Sequence, residues 1–189
     1  MDDCFILSIA QEEESKSARV IRKVSQVLNR FLKGLEALQV AGRETAAWKR
    51  VDLGEIKKLM EDLIAYFAQP SEDIEFEEQQ IRLKALRNRQ DLFQEEGVLN
   101  MILDTIDQFS LMESTPDFSA MIGEEALMAW DEISTYLYLL LAAMIKGNHS
   151  NCAQFASVQR LDWLFSRLAN PQSAEEISRK ASKMIVFHS

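Results

Sequence analysis

Apolar residues recur along this chain at intervals of three and four, which predicts helices rather than strands. The clearest case follows Gly97. There Val98, Leu99, Ile102, Leu103, Ile106 and Phe109 mark one face of a helix over Val98–Phe109. A first long helix is expected over Ser15–Leu38, with Ile21, Val24, Leu28, Phe31, Leu32, Leu35 and Leu38 inward. Val40–Arg50 loses the period and reads as a loop. Asp52 then caps a helix that buries Leu53, Ile56, Leu59, Met60, Leu63, Ile64 and Phe67, with Glu55 at the capping-box position. Pro70 stops that helix, so the first two can form an antiparallel hairpin.

The middle of the chain continues the pattern. A helix over Glu75–Glu95 is expected to bury Phe76, Leu83, Leu86, Leu92 and Phe93. Gly97 permits the break that follows. Ser110–Met121, with Pro116, is a looser connection. A long helix from Gly123 or Glu124 to Lys146 carries Leu127, Trp130, Ile133, Leu137, Leu140, Leu141, Met144 and Ile145, and should be the most buried. Gly147 is placed to close it. Asn148 can cap a short helix carrying Cys152, Phe155 and Ala156. Another follows with Leu161, Trp163, Leu164, Phe165 and Leu168. Asn170-Pro171 turns the chain, and a Ser173–Glu176 capping box opens a last helix to about Val186. No stretch alternates with period two between turns. The fold class is all-α.

Composition narrows the function classes. The chain has 189 residues, 47% hydrophobic and 27% charged, which is globular rather than disordered. Its formal net charge of -9 opposes nucleic-acid binding, which needs a cationic footprint. The acidic balance suits calcium, basic protein surfaces or solubility. Cys4 and Cys152 form no metal or redox motif, in keeping with a reducing cytosol. The start, MDDCFILSIAQEEE, is acidic and does not read as a signal peptide. The apolar run near Leu137–Ile145 is well short of the ~20 residues that span a bilayer.

No catalytic or cofactor chemistry stands out. The chain has no Gly-rich phosphate loop, no GxSxG and no HExxH. His149 and His188 have no obvious companion ligands. The acidic run at Glu72, Asp73, Glu75, Glu77 and Glu78 lacks the oxygen spacing and central glycine of an EF-hand, and reads as an acidic helix start. Arg19, Arg22, Lys23, Arg30 and Lys33 lie largely outside the apolar stripe of the first helix. They read as a solvated face, with a docking patch as the alternative. The sequon at Asn148 is discounted, and Arg179-Lys180-Ala181-Ser182 matches a basophilic kinase pattern by chance. The expectation is no enzyme, no cofactor and no metal.

Several longer phrases carry a resemblance. QEEESKSARVIRK at Gln11–Lys23, DLIAYFAQPSED at Asp62–Asp73, RNRQDLFQEEGVLN at Arg87–Asn100, EISTYLYLLLAAMIKGNHSNCAQFA at Glu132–Ala156 and DWLFSRL at Asp162–Leu168 occur in order. They resemble the ryanodine receptor family, in the helical homology domain that follows its two N-terminal β-trefoils. The wording is closer to invertebrate forms. The resemblance implies an armadillo-like stack of antiparallel helices over 1–168, with 169–189 a divergent C-terminal helix or tail. It also implies membership of the tetrameric intracellular calcium-release channels that include inositol trisphosphate receptors. The implied place is the cytosolic side of the sarcoplasmic or endoplasmic reticulum, reaching the membrane only through the rest of the channel. The implied role is regulatory, passing conformational change from N-terminal domains to a core solenoid. Partners would be neighbouring domains and subunits of a homotetramer.

The inositol trisphosphate receptors use basic side chains on the helix matching Arg87–Glu95 to hold phosphates. The matching positions here read Arg87, Asp91 and Gln94, so no inositol trisphosphate binding is expected. Arg87, Arg89 and Asp91 are instead the candidate interdomain interface. The plainer reading pairs the two arginines with acidic runs of adjacent helices. A free-standing adaptor that binds channel subunits is the alternative function, and a soluble acidic calcium-binding protein a third.

Overall fold

A computed structural model describes residues 2–41 and 51–155. The chain divides into two compact units, residues 1–146 and 147–189. Seven helices make up the described residues: α1 (Asp2–Ala41), α2 (Leu53–Tyr66), α3 (Phe76–Glu95), α4 (Val98–Glu113), α5 (Phe118–Ile122), α6 (Glu124–Ile145) and α7 (His149–Phe155). No strand occurs among the described residues. None of these helices is long and apolar enough to cross a membrane. The first unit holds α1–α6 and is all-α, as the periodicity predicts.

Helix ends moved more than helix faces did. α1 begins thirteen residues before Ser15 and runs on to Ala41, inside the expected loop. Periodicity marks where a helix is packed; Gln11–Glu14, just upstream of Ser15, are helical and exposed. The expected core of α1 holds at Ile21, Val24, Leu28, Phe31, Leu35 and Leu38, while Leu32 is half-buried and Val27 joins the core. α4 continues past Phe109 to Glu113, and the short α5 occupies part of the looser connection. The segments 42–50 and 156–189 lie outside the described residues. They include the expected Leu161–Leu168 and Ser173–Val186 helices and the kinase-like pattern.

Contacts at the two ends of α2 set its direction. Ser17 on α1 meets Tyr66, and Arg30 meets Glu55. One register rises while the other falls, so α1 and α2 are antiparallel. α2 packs most extensively on α6. Lys57 pairs with Glu132 and Glu61 with Tyr136, four residues on in both helices, so these two run parallel. The Asp52 carboxylate caps α2 by accepting from the Glu55 amide at 2.9 Å. Glu55 itself turns outward and takes both its oxygens to Arg30, at 2.6 Å each.

The interior is aromatic where helices converge. Trp130 of α6 is fully buried and stacks on Phe109 of α4, ring centres 3.8 Å apart and planes 19° apart. Phe118 of α5 leans on the same indole at 5.1 Å, and Phe31 of α1 meets Phe109 at 5.9 Å. The indole N–H donates to Glu113 at 3.0 Å, so its burial leaves no orphan donor.

α3 departs from expectation at Phe76, Leu83 and Leu92. Phe76 was expected in the core and is 73% exposed, and Ile81 is 69% exposed. Leu83 and Leu92 are half-buried, and the first buried side chain of the helix is Leu86. Phe76 lies ten residues earlier, about 15 Å along the axis, beyond the packed body. The chain leaves α3 through Gly97 at φ 79°, a left-handed turn that a side chain would strain.

Three substitutions test this core in urea unfolding. Phe109→Ala should cost about 3–5 kcal/mol, whereas Phe76→Ala should stay within about 0.5 kcal/mol of the parent. Gly97→Ala should cost about 1–2 kcal/mol, because open space around the missing Cβ leaves only the backbone penalty.

Candidate functional site

α3 presents different chemistry on different sides. Leu86, Gln90 and Phe93 recur at i, i+4 and i+7 and are all buried. One residue further round, Arg87, Asp91 and Gln94 form the adjacent stripe, since each step turns a helix by about 100°. Arg87 is exposed, and Asp91 and Gln94 are half-exposed. Arg87 and Asp91 therefore share a surface face one turn apart.

Arg89 faces elsewhere. Its guanidinium sits 4.9 Å from the ring centre of Tyr66 on α2, in cation–π range. Beneath it lies an aromatic cluster. Tyr66 meets Phe93 at 5.6 Å, and Phe67 meets Phe93 edge-on at 4.9 Å and 88°. The Tyr66 hydroxyl shares a 2.7 Å hydrogen bond with Ser17, which is itself buried. Arg89 thus covers the α1–α2–α3 junction, with its Nε buried and lacking a hydrogen-bond partner. Among the described residues neither Arg87 nor Arg89 makes an ion pair.

The polar residue that the hydrophobic pattern missed is Gln90. It is fully buried, and its side-chain amide donates to the carbonyls of Ala143 at 2.8 Å and Lys146 at 3.0 Å. Those carbonyls belong to the end of α6, where the helix has no further amides to offer. One side chain of α3 therefore ties off the terminus of α6. The available signal was Gln90's place in register with Leu86 and Phe93; a glutamine there must find buried partners.

Along the α2–α6 seam, the Glu132 carboxylate holds the Lys57 ammonium charged and raises its pKa. Burial pushes the Tyr136 phenol up, and the neighbouring Glu61 carboxylate, which accepts its hydrogen bond at 3.3 Å, pushes the same way. A cleft of about 60 Å³ opens between α1 and the start of α2, bounded by Val27, Phe31, Gly34, Val51 and the Arg30–Glu55 pair. Pockets for small molecules are usually about 300 Å³ or more, so this one holds little beyond water. Among the described residues no group of three His, Cys, Asp or Glu side chains is placed to hold a metal ion.

Among families of known proteins, the one described as the RIH domain matches residues 57–181, more than half of the chain. The matched stretch begins inside α2, takes in α3 with its Arg87–Asp91 face, and runs past Leu168.

The Lys57 and Tyr136 shifts make a prediction with one sign. Both groups keep their proton in the folded chain above the pH at which the unfolded chain releases it. The stability they contribute is present below about pH 10 and is lost as pH rises through the raised values. Glu61→Gln removes one cause at Tyr136, so its phenol should ionise at lower pH in an absorbance titration. An unchanged tyrosinate curve would refute the assignment.

Proposed function

The chain belongs to the RIH domain family, found in the ryanodine and inositol trisphosphate receptor calcium-release channels, which are not enzymes, and from that premise we propose a regulatory role. This is a helical domain of a ryanodine-receptor-like intracellular channel, on the cytosolic side of the sarcoplasmic or endoplasmic reticulum. It passes movement between N-terminal domains and a core solenoid, and does no chemistry of its own. Partners are neighbouring domains and subunits of the channel.

The observation that carries this reading is the pairing of faces on α3. Arg87 and Asp91 stand on the surface while Gln90, between them in sequence, is fixed to the end of α6. A force on the outer face is therefore delivered to a buried, hydrogen-bonded anchor. Transmission of that kind needs contacts that differ between two states, and Arg87 and Asp91 can supply them. Arg89 contributes from inside, by holding α3 against α2. A free-standing adaptor is the second reading. It draws on residues 1–146 forming a compact unit with its own aromatic core. The mass of the native polypeptide separates the two, since a channel subunit is far larger than this chain.

Arg87→Glu and Asp91→Arg should each weaken binding to an isolated β-trefoil pair of the channel, with helicity unchanged. Binding equal to the parent would remove Arg87 and Asp91 from the interface. For inositol trisphosphate, calorimetry should detect no micromolar binding. With an aspartate and a glutamine where phosphate contacts would need cations, each missing charge-assisted bond forfeits about 1.5–3 kcal/mol.

A further inference from the structure

Two charged surfaces of opposite sign remain once the core and the Arg87–Asp91 face are accounted for. The first is the outer side of α1. From Lys16 to Lys33 the sequence holds Lys16, Arg19, Arg22, Lys23, Arg30 and Lys33 and no carboxylate at all. All six are exposed, and the buried residues Val24, Leu28, Phe31 and Leu35 lie on the opposite side of the helix. Arg30 is engaged with Glu55; the other five have no ion-pair partner among the described residues. The stripe is about 26 Å long. Its other exposed residues, such as Ala18, Gln26 and Asn29, include nothing large and apolar that could enter a bilayer. The net charge of -9 opposes a nucleic acid.

The second surface is the N-terminal half of α3 and the residues leading into it. Between positions 71 and 81 there are five carboxylates, at Glu72, Asp73, Glu75, Glu77 and Glu78, and no basic residue. None of Phe76–Ala85 is buried. Glu78 pairs with Arg82, and the other four carboxylates make no ion pair among the described residues. The helix dipole accounts for acids at this end. It does not account for Phe76 and Ile81 standing 73% and 69% exposed among them. An exposed phenyl ring among carboxylates offers a partner surface both an apolar anchor and a charge to match.

We infer that the basic outer face of α1 receives the acidic N-terminal half of α3 from a second copy of this chain. The signs are complementary, and within one chain no ion pair joins Arg19, Arg22 or Lys23 to Glu72–Glu78 among the described residues. The aliphatic stems and guanidinium groups of the stripe offer Phe76 both apolar cover and a cation–π partner. Each copy carries both surfaces, so the contact can be made reciprocally in a two-fold pair or head to tail in a ring or filament. It uses neither Arg87 nor Asp91, so its failure would leave the channel reading untouched.

Light scattering on the whole chain across a concentration series tests this. The parent should associate at about 0.05 M salt, and its affinity should fall at least about tenfold by about 0.5 M. The variants R19E/R22E/K23E and E72K/E75K/E77K should each be monomeric alone. Mixed in equal amounts they should associate again, because the acidic α1 of one then meets the basic α3 of the other. F76A should weaken association while leaving the unfolding midpoint unchanged. A parent that stays monomeric at low salt, or a mixture that fails to associate, would overturn the inference. So would continued association of E72K/E75K/E77K by itself, since the acidic half of α3 would then play no part. Binding of the monomeric parent to phosphatidylserine vesicles, lost in R19E/R22E/K23E, would give the stripe to a membrane and overturn it as well.

Discussion

The stacked pair Phe109–Trp130 is the contact on which the rest of the first unit depends. It joins α4 to α6, and Phe118 and Phe31 bring α5 and α1 onto the same rings. An indole buried this deeply is tolerated only because Glu113, at the end of α4, accepts its N–H. The same helix that supplies the stack therefore supplies the acceptor. Apolar burial and polar satisfaction are settled by one pair of elements, and the remaining helices are arranged around it.

α2 extends this arrangement to the far side of α6. Its cap, its salt bridge to α1 and its parallel seam with α6 all use residues of a single stretch, Asp52 to Glu61. Exposed pairs of this kind contribute little energy each. They fix register instead, since Lys57–Glu132 and Glu61–Tyr136 can form together only in one axial alignment. Among the described residues, the cleft between α1 and the start of α2 is near water size.

How much of this was readable in advance varied by residue. The stripe Val98, Leu99, Ile102, Leu103, Ile106 and Phe109 was legible in full, because dense apolar spacing leaves one possible inner face. The core of α6 was nearly so, with Leu127 and Ile145 only half-buried at its ends. Phe76 was misjudged for a physical reason. Helical spacing gives the side of a helix on which a residue lies, but not whether another element reaches that far along the axis. Gln90 was missed because a glutamine enters a core only if acceptors await it, and these lie 53 and 56 residues away. Within the candidate site, Arg87 and Asp91 share a face as their spacing requires. The position of Arg89 over Tyr66 depended on where α2 came to rest, which no local pattern encodes.

The double hydrogen bond from Gln90 restricts the kind of motion α3 can make. A helix held only by apolar ridges can screw past its neighbour, trading one set of grooves for the next at small cost. With one amide nitrogen fastened to two carbonyls on the closing turn of α6, both translation and spin about the long axis are blocked. The azimuth of the outer face is thereby pinned to α6. Any displacement that reaches α3 must be carried onward as rigid-body tilt.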